Sequence, residues 1–144
     1  MTFVLTAAAR ALFDGPNFAV LSTIGRDGSP HSSVVWVERE VDHLLLATVQ
    51  GRQKERDIRR DPRVSVTVFD PARPYHYVEV RGLATVEFTD ADALNDRLAR
   101  KYTGEDFKYH RPGQVRVAVR IEPVHATGSA VRAVAPEPTD TAAR

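Results

Sequence analysis

The amino-acid sequence predicts a mainly β fold, a small six-stranded antiparallel barrel with a few short peripheral helices. Six segments carry apolar residues in alternating or continuous runs, the patterns typical of strands. Short turns join most of these segments, which favours antiparallel neighbours. Only three segments show helical spacing. A barrel is favoured over an open sheet because closure removes the unpaired strand edges.

The N-terminal part of the chain is predicted to contain one helix and three antiparallel strands. The helix spans Val4 to Phe13 and ends before a Gly-Pro pair. The first strand runs from Phe18 to Ile24, and Asp27-Gly28 is a hairpin turn signal. The return strand is predicted from Ser32 to Glu38. A second turn leads to the third strand, His43 to Val49.

The basic segment after the third strand is predicted to form the second helix. Asp61-Pro62 ends this helix, because a residue that precedes proline avoids the helical region. Val64 to Phe69 is the fourth strand, and Tyr77 to Phe88 is a long fifth strand. Gly82 lies inside the fifth strand and predicts a bulge or a bend there.

The third helix is predicted to begin after Asp90 as its N-cap and to end at Gly104. One face of this helix is apolar and consists of Leu94, Leu98 and Tyr102. The sixth strand follows a polar loop and alternates cleanly. Its apolar face is Val115, Val117, Val119 and Ile121, and its polar face is Arg116, Arg120 and Glu122.

The length of 144 residues suits one domain with one core. We predict that this domain spans residues 1–128. Residues 129–144 are rich in Ala, Pro, Thr and charged residues. Such a segment buries too little apolar area to offset its ordering entropy, so we predict a disordered C-terminal tail.

The composition excludes several classes of site and partner. The chain has no cysteine, so it offers no disulfide, thiolate nucleophile or cysteine-based metal site. Its five histidines lack metal-binding spacing, and no metal site is expected. A net charge of +1 argues against a nucleic-acid binder, and no apolar run approaches the ~18 residues of a membrane span. We expect a cytoplasmic protein without a nucleic-acid or membrane partner.

The basic segment after the third strand has two interpretations. Five cations lie within residues 52–60: Arg52, Lys54, Arg56, Arg59 and Arg60. They could form a solvated helix face with interleaved acidic residues. Alternatively, a helix that begins just after Gly51 would present free N–H groups to a phosphate. Arg52 and Lys54 could then converge on one anion if Arg52 precedes the helix. Nearby polar side chains that could add hydrogen bonds are Ser32, Ser33, Thr48 and Gln53.

Three stretches together resemble one known family. They are "VLSTIGRDGSPHSSVVW", "LLLATVQGRQKERDIRRDPRVSVTVFD" and "YHYVEVRGLATV". In this order they are similar to the pyridoxamine 5′-phosphate oxidase-like split barrels, over roughly residues 10 to 126. The most similar branch is the actinobacterial group of F-420-dependent, or deazaflavin-dependent, reductases. The resemblance implies that the six-stranded barrel is a split β-barrel.

The resemblance also implies a homodimer with a cofactor in each groove at its interface. In such proteins the strand that matches His31, Ser32, Ser33 and Val34 contacts the cofactor ring and ribityl chain. The strand end that matches Thr48, Gln50 and Gly51 runs beside the phosphate, with Gln53 nearby. The residues that match Arg52 and Lys54 bind this phosphate. Family members often have Asn at the position of Asp57. A carboxylate that faced the phosphate would repel it, so we expect Asp57 to face a neighbouring Arg instead.

The chemistry is therefore expected to be carried by a bound cofactor, since no catalytic side chain can be named from the sequence. Our first hypothesis is an oxidoreductase in which reduced coenzyme F-420 donates a hydride to a small conjugated organic acceptor. The first alternative uses FMN in the same fold, because the two cofactors share a ribityl phosphate. The second alternative is a cofactor carrier without catalysis.

Overall fold

The computed structural model of the protein describes residues 3–132. Its seven strands, three α-helices and one short 3-10 helix follow one another along the chain. The order is α1 (Ala7–Asp14), β1 (Ala19–Ile24), β2 (Pro30–Val35), β3 (Glu38–Glu40), β4 (His43–Val49), α2 (Gln53–Arg60), β5 (Arg63–Asp70), β6 (Arg73–Glu87), α3 (Ala91–Thr103), β7 (Arg116–Thr127) and the 3-10 helix (Ser129–Val131).

The strands form one antiparallel sheet in the order β2-β1-β5-β6-β7-β4-β3. The strands β2 and β3 are consecutive in the chain but lie at opposite ends of this order. The two residues that join them, Trp36 and Val37, therefore carry the chain from one edge of the sheet to the other. This arrangement confirms the mainly β, split-barrel prediction.

The strand count is seven and not the predicted six. The single strand expected from Ser32 to Glu38 is divided at Trp36 into β2 and β3. The sequence pattern did not reveal this corner, because Val35 and Val37 are both buried and two residues apart, as in an uninterrupted strand. The corner is visible only in the pairing of the two strands with different neighbours.

Residues on the two faces of the sheet enter two separate apolar clusters. Along β4, Leu44 and Leu46 lie in the main core inside the barrel, which α1 closes. Leu45 points the other way and packs under α3. The predicted apolar face of α3 is confirmed, since Leu94 and Leu98 are buried in this second cluster. The helix α3 thus covers the outer side of the sheet at β4 and β7.

The main core includes a residue beyond the predicted domain boundary at residue 128. Ala130 is only 3% exposed and belongs to the main core. Its carbonyl accepts a hydrogen bond of 2.8 Å from the Thr6 hydroxyl. Ser129 accepts a hydrogen bond of 3.1 Å from the Tyr77 N–H. The rest of the predicted tail, residues 133–144, lies outside the described residues.

None of the helices within residues 3–132 has both the length and the apolar character needed to cross a membrane.

The bulge predicted at Gly82 is present. The register of β6 against β7 shifts between Arg81 and Gly82, so that Gly82 faces Pro123. A Cβ atom on Gly82 would lie 2.4 Å from the Glu122 carbonyl oxygen. Glycine is therefore required at this point by close approach of two backbones.

We expect Gly82→Ala to destabilise the protein by about 1–3 kcal/mol, because the added methyl group overpacks against β7. The free energy of unfolding from urea denaturation measures this effect. Gly25→Ala is the matched control, since its Cβ would lie no closer than 3.2 Å to any neighbour in the hairpin turn. Equal stability of the two variants would contradict the close approach at Gly82.

Candidate functional site

A cleft of about 470 Å³ lies between the β2–β3 corner, the start of α2, the helix α3 and the loop that precedes β7. Two kinds of side chain dominate its walls. The cations are Arg52, Lys54, Arg111 and Arg116, and the aromatic residues are Phe18, Trp36, Phe107 and Tyr109. Among residues 3–132, no carboxylate lines this cleft. The arrangement suits a flat organic molecule that carries negative charge.

The start of α2 directs two of these cations into the cleft. Arg52 is the N-cap of α2 with an extended backbone (φ −68°, ψ 158°), so it precedes the helix, which is the condition for Arg52 and Lys54 to converge. Gly51 has a φ of +94°, which lets the chain turn from β4 into α2. Lys54 lies in the first helical turn. Burial lowers the pKa of Lys54, and the nearby charge of Arg52 lowers it further. The two cations therefore converge.

A buried carboxylate, Asp57, fastens α2 to the barrel. It is fully buried and accepts hydrogen bonds from the Thr23 hydroxyl (2.8 Å), the Gln53 amide (2.7 Å) and the Arg60 guanidinium (3.0 Å). Burial by itself would raise the pKa of Asp57. The hydrogen bonds from Thr23, Arg60 and Gln53 outweigh it, and the pKa is lowered. The expectation that Asp57 faces a neighbouring Arg is confirmed by Arg60.

A second buried carboxylate, Glu55, binds a backbone N–H group just before the start of α2. Its Oε2 atom accepts a hydrogen bond of 3.0 Å from the Gly51 N–H, and the carboxylate also pairs with Arg59. The Arg52 N–H donates to the Val49 carbonyl at 3.1 Å. The backbone N–H groups of Gly51 and Arg52 are therefore already bonded within the chain. The side chains of Arg52 and Lys54 are the groups that face the cleft.

The structure brings together only part of the predicted set of ten cofactor-binding residues. Val34, Arg52 and Lys54 line the cleft. Ser32 forms a hydroxyl pair of 2.8 Å with Ser22 on the neighbouring strand. Gln53 is engaged with Asp57.

The remaining members of the predicted set do not line the cleft. His31 and Ser33 alternate with Val34 and share the inner face of β2 with the buried Val35. Thr48 shares the face of Leu44 and Leu46 inside the barrel and is buried. The Gln50 N–H bonds to the Val115 carbonyl at 2.8 Å, and Gly51 makes the turn described above.

Arg116 and Asn95 are cleft residues that the sequence analysis missed. The Arg116 side chain is 8% exposed, and its guanidinium carbon lies 4.8 Å from the centre of the Phe107 ring. Asn95 on α3 is 4% exposed. The Arg116 Nε and Asn95 Nδ2 atoms are buried without a hydrogen-bond partner among residues 3–132. The alternation of β7 did separate Arg116 from Val117, but it could not show that α3 covers the polar face.

The aromatic wall is built on a stack of three rings. Tyr102 lies between Phe18 (5.5 Å between ring centres, 29° between planes) and Trp36 (5.6 Å, 9°). Its hydroxyl donates to the Asn17 carbonyl at 2.8 Å, which fixes the ring. Phe107 meets Trp36 edge-on at 6.4 Å. Trp36 and Phe107 are therefore held in place as an apolar surface of the cleft.

The chain matches one protein-family model and is similar to several solved structures. A family model described as pyridoxamine 5′-phosphate oxidase matches residues 5–129. A solved structure of an F420 reductase is 27% identical, with a TM-score of 0.76, and the match covers 85% of this chain and 98% of that chain.

Two further solved structures are similar. A conserved hypothetical protein, Rv2991, from Mycobacterium tuberculosis is 26% identical with a TM-score of 0.70, over 85% of this chain and 83% of that chain. General Stress Protein 26 from Bacillus anthracis is 25% identical with a TM-score of 0.65, over 83% of this chain and 88% of that chain.

We expect Asp57→Asn to lower the free energy of unfolding by about 1–3 kcal/mol at neutral pH, because a single amide oxygen cannot accept from three donors. The lowered pKa of Asp57 means that its charge stabilises the fold above the unfolded pKa of 3.8. That contribution is lost as the pH falls through the lower folded pKa. The stability difference between parent and variant should therefore shrink in acid, which urea denaturation at several pH values measures. A pH-independent difference would contradict a charged Asp57.

Proposed function

Since this chain belongs to the pyridoxamine 5′-phosphate oxidase family, we propose that it is an oxidoreductase that binds coenzyme F-420 in the cleft beside α2. The phosphate of the cofactor would lie on Arg52 and Lys54. When bound, the cofactor would supply the hydride for a small conjugated organic acceptor. The protein would contribute binding, orientation and a water-poor wall.

The convergence of Arg52 and Lys54 on one cleft carries this proposal. Lys54 has a pKa lowered by burial and by Arg52, so two like charges share one partly buried space. Such a pair is unfavourable unless an anion joins it. A phosphate accepts charge-assisted hydrogen bonds from both side chains and relieves the repulsion. The cleft volume of about 470 Å³ falls within the usual range of small-molecule sites.

Two observations favour F-420 over FMN. An F420 reductase is among the similar structures. F-420 also carries an anionic tail of lactate and glutamate beyond the phosphate, and the surface beside the cleft is basic. Arg26, Arg56, Arg59 and Arg60 line a second pocket with Gln53. Arg59 and Arg60 pair with Glu55 and Asp57, whereas Arg26 and Arg56 have no carboxylate partner within residues 3–132. FMN is the alternative cofactor, because it shares the ribityl phosphate.

A cofactor carrier is the second candidate function. The observation that favours it is the absence of histidine and carboxylate side chains from the cleft wall within residues 3–132, which leaves few groups to move a proton. Turnover distinguishes the two candidates. An oxidoreductase oxidises reduced F-420 when a conjugated acceptor is added, whereas a carrier binds the cofactor and leaves its absorbance unchanged.

We also propose that the protein is a homodimer that packs through an apolar area on the sheet. This area joins β1, β5, β6 and β7 and is lined chiefly by apolar atoms. It includes Leu83 (45% exposed) and Val124 (57% exposed). Exposed apolar surfaces of this kind mark protein interfaces. A second copy of the chain is the partner that the resemblance implies.

We expect Arg52→Ala and Lys54→Ala each to weaken cofactor binding about ten- to a hundred-fold, since one charge-assisted hydrogen bond contributes ~1.5–3 kcal/mol. Parallel fluorescence titrations with F-420 and with FMN measure both affinities. The double variant should lose less than the sum of the single losses, because the two residues share one phosphate.

The titrations include two further variants. Arg56→Ala should weaken F-420 but not FMN if the tail crosses α2. Arg73→Ala is the neutral control, since Arg73 is 74% exposed and lies outside the cleft. If Arg52→Ala and Lys54→Ala bind both cofactors like the parent, the basic segment is a solvated helix face and the phosphate site is wrong.

We expect Leu83→Glu to convert the dimer to a monomer, because it buries a charge in the proposed interface. Sedimentation velocity at micromolar concentration measures the mass. Val4→Glu is the matched control, since Val4 is also exposed but lies outside the apolar area. A parent protein that sediments only as a 16.0 kDa species would exclude the dimer.

A further inference from the structure

Arg116 is a buried cation with little internal compensation. Its side chain is 8% exposed, and the charged groups that face it are Arg52, Asp92 and Asp96. The Asp92 carboxylate lies 4.0 Å from Nε, at the limit of an ion pair, and is itself 81% exposed. Asp96 accepts a hydrogen bond from the Phe107 N–H at 3.3 Å. Burial and then Arg52 lower the pKa of Arg116, against the opposite effect of the two aspartates.

Asn95 adds a second unsatisfied donor from a different element. It is 4% exposed, projects from α3 into the same cleft, and its Nδ2 atom has no partner within residues 3–132. The Arg116 Nε atom is likewise buried without a hydrogen-bond partner within residues 3–132. Leaving a buried donor unpaired costs about 1–3 kcal/mol. Two such donors on α3 and β7, at one cleft, define a built site for an acceptor group.

The surroundings specify the shape of that acceptor. The Arg116 guanidinium carbon lies over the Phe107 ring, 4.8 Å from its centre. The guanidinium holds its N–H donors in one plane, as a fork that suits a planar acceptor. A carboxylate matches this fork with two parallel hydrogen bonds. Trp36 lines the same cleft and is fixed by its stack on Tyr102, so a flat apolar ring can lie against it.

We propose that Arg116 and Asn95 form a carboxylate subsite that binds a flat aromatic or conjugated carboxylate against Trp36. The subsite is built from β7 and α3, whereas the phosphate pair Arg52 and Lys54 stands at the start of α2 on the same cleft. One part of the inference rests on the proposed function: the bound carboxylate is taken to be the molecule that accepts the hydride. The carboxylates of the F-420 tail are the other source of the same chemistry, and the experiment distinguishes the two sources.

The test uses the full-length protein with no cofactor added and two matched probes, 1-naphthoate and its neutral analogue 1-naphthamide. Calorimetric titration gives both affinities, and the Nε–H resonances of ¹⁵N-arginine-labelled protein report on the arginine that is contacted. We expect naphthoate to bind at least tenfold more tightly than naphthamide and to shift one resonance that is missing from Arg116→Gln. This preference should vanish in Arg116→Gln and be only partly kept in Arg116→Lys, which lacks the planar fork.

Two further variants keep the outcome decisive if Arg116→Gln unfolds. Asn95→Asp is nearly isosteric and puts a carboxylate in place of a donor on the same cleft wall, so it should repel naphthoate and the naphthoate preference should be lost. Arg111→Gln is the control for a general cation effect, because Arg111 lines the cleft but is exposed. A parent protein that binds the two probes equally, or an unchanged preference in both Arg116→Gln and Asn95→Asp, overturns the subsite.

Cofactor titrations with Arg116→Gln separate this proposal from the proposed function. If Arg116→Gln weakens F-420 at least tenfold, leaves FMN unchanged and has no effect on naphthoate, the carboxylate belongs to the cofactor tail and the acceptor assignment is overturned. If Arg52→Ala and Lys54→Ala leave both cofactors unaffected while the naphthoate preference persists, the cofactor site fails and the subsite stands.

Discussion

The cation end of the cleft depends on one buried carboxylate. Asp57 takes hydrogen bonds from β1, through Thr23, and from its own helix, through Gln53 and Arg60. A buried charge of this kind is tolerated only when its hydrogen-bonding capacity is filled, and then it restricts its surroundings to one arrangement. The orientation of α2, and with it the direction of Arg52 and Lys54, follows from this contact.

The aromatic end depends on a comparable contact between α3 and the corner of the barrel. The Tyr102 hydroxyl accepts from the Val37 N–H at 3.2 Å and donates to Asn17. Lys101 donates to the Phe13 and Val37 carbonyls at 2.5 and 2.7 Å. Because the corner carries Trp36, these bonds fix the position of the indole. Helix and corner together hold the apolar wall opposite the cations.

The electrostatic contributions to stability and to binding come from different residues. Ion pairs such as Arg63 with Asp61 are exposed, and pairs of this kind contribute about 0–1 kcal/mol. The cations of the cleft lack such close partners within residues 3–132, apart from the distant contact of Arg116 with Asp92. A net charge of +1 conceals this division, since most arginines among residues 3–132 have a carboxylate partner and a few line one concave surface. The proposed binding role therefore falls to the uncompensated minority.

The sequence by itself determined the strand and helix class of nearly every segment and the bulge at Gly82, because periodicity, turn residues and prolines act locally. It also drew attention to Lys54. Only the tertiary structure decided that the chain turns a corner at Trp36, that Ala130 belongs to the core, and that Arg116 and Asn95 both line the cleft. The physical reason is that these features depend on which distant element covers a residue. A polar strand face has the same sequence pattern whether water or a helix lies above it.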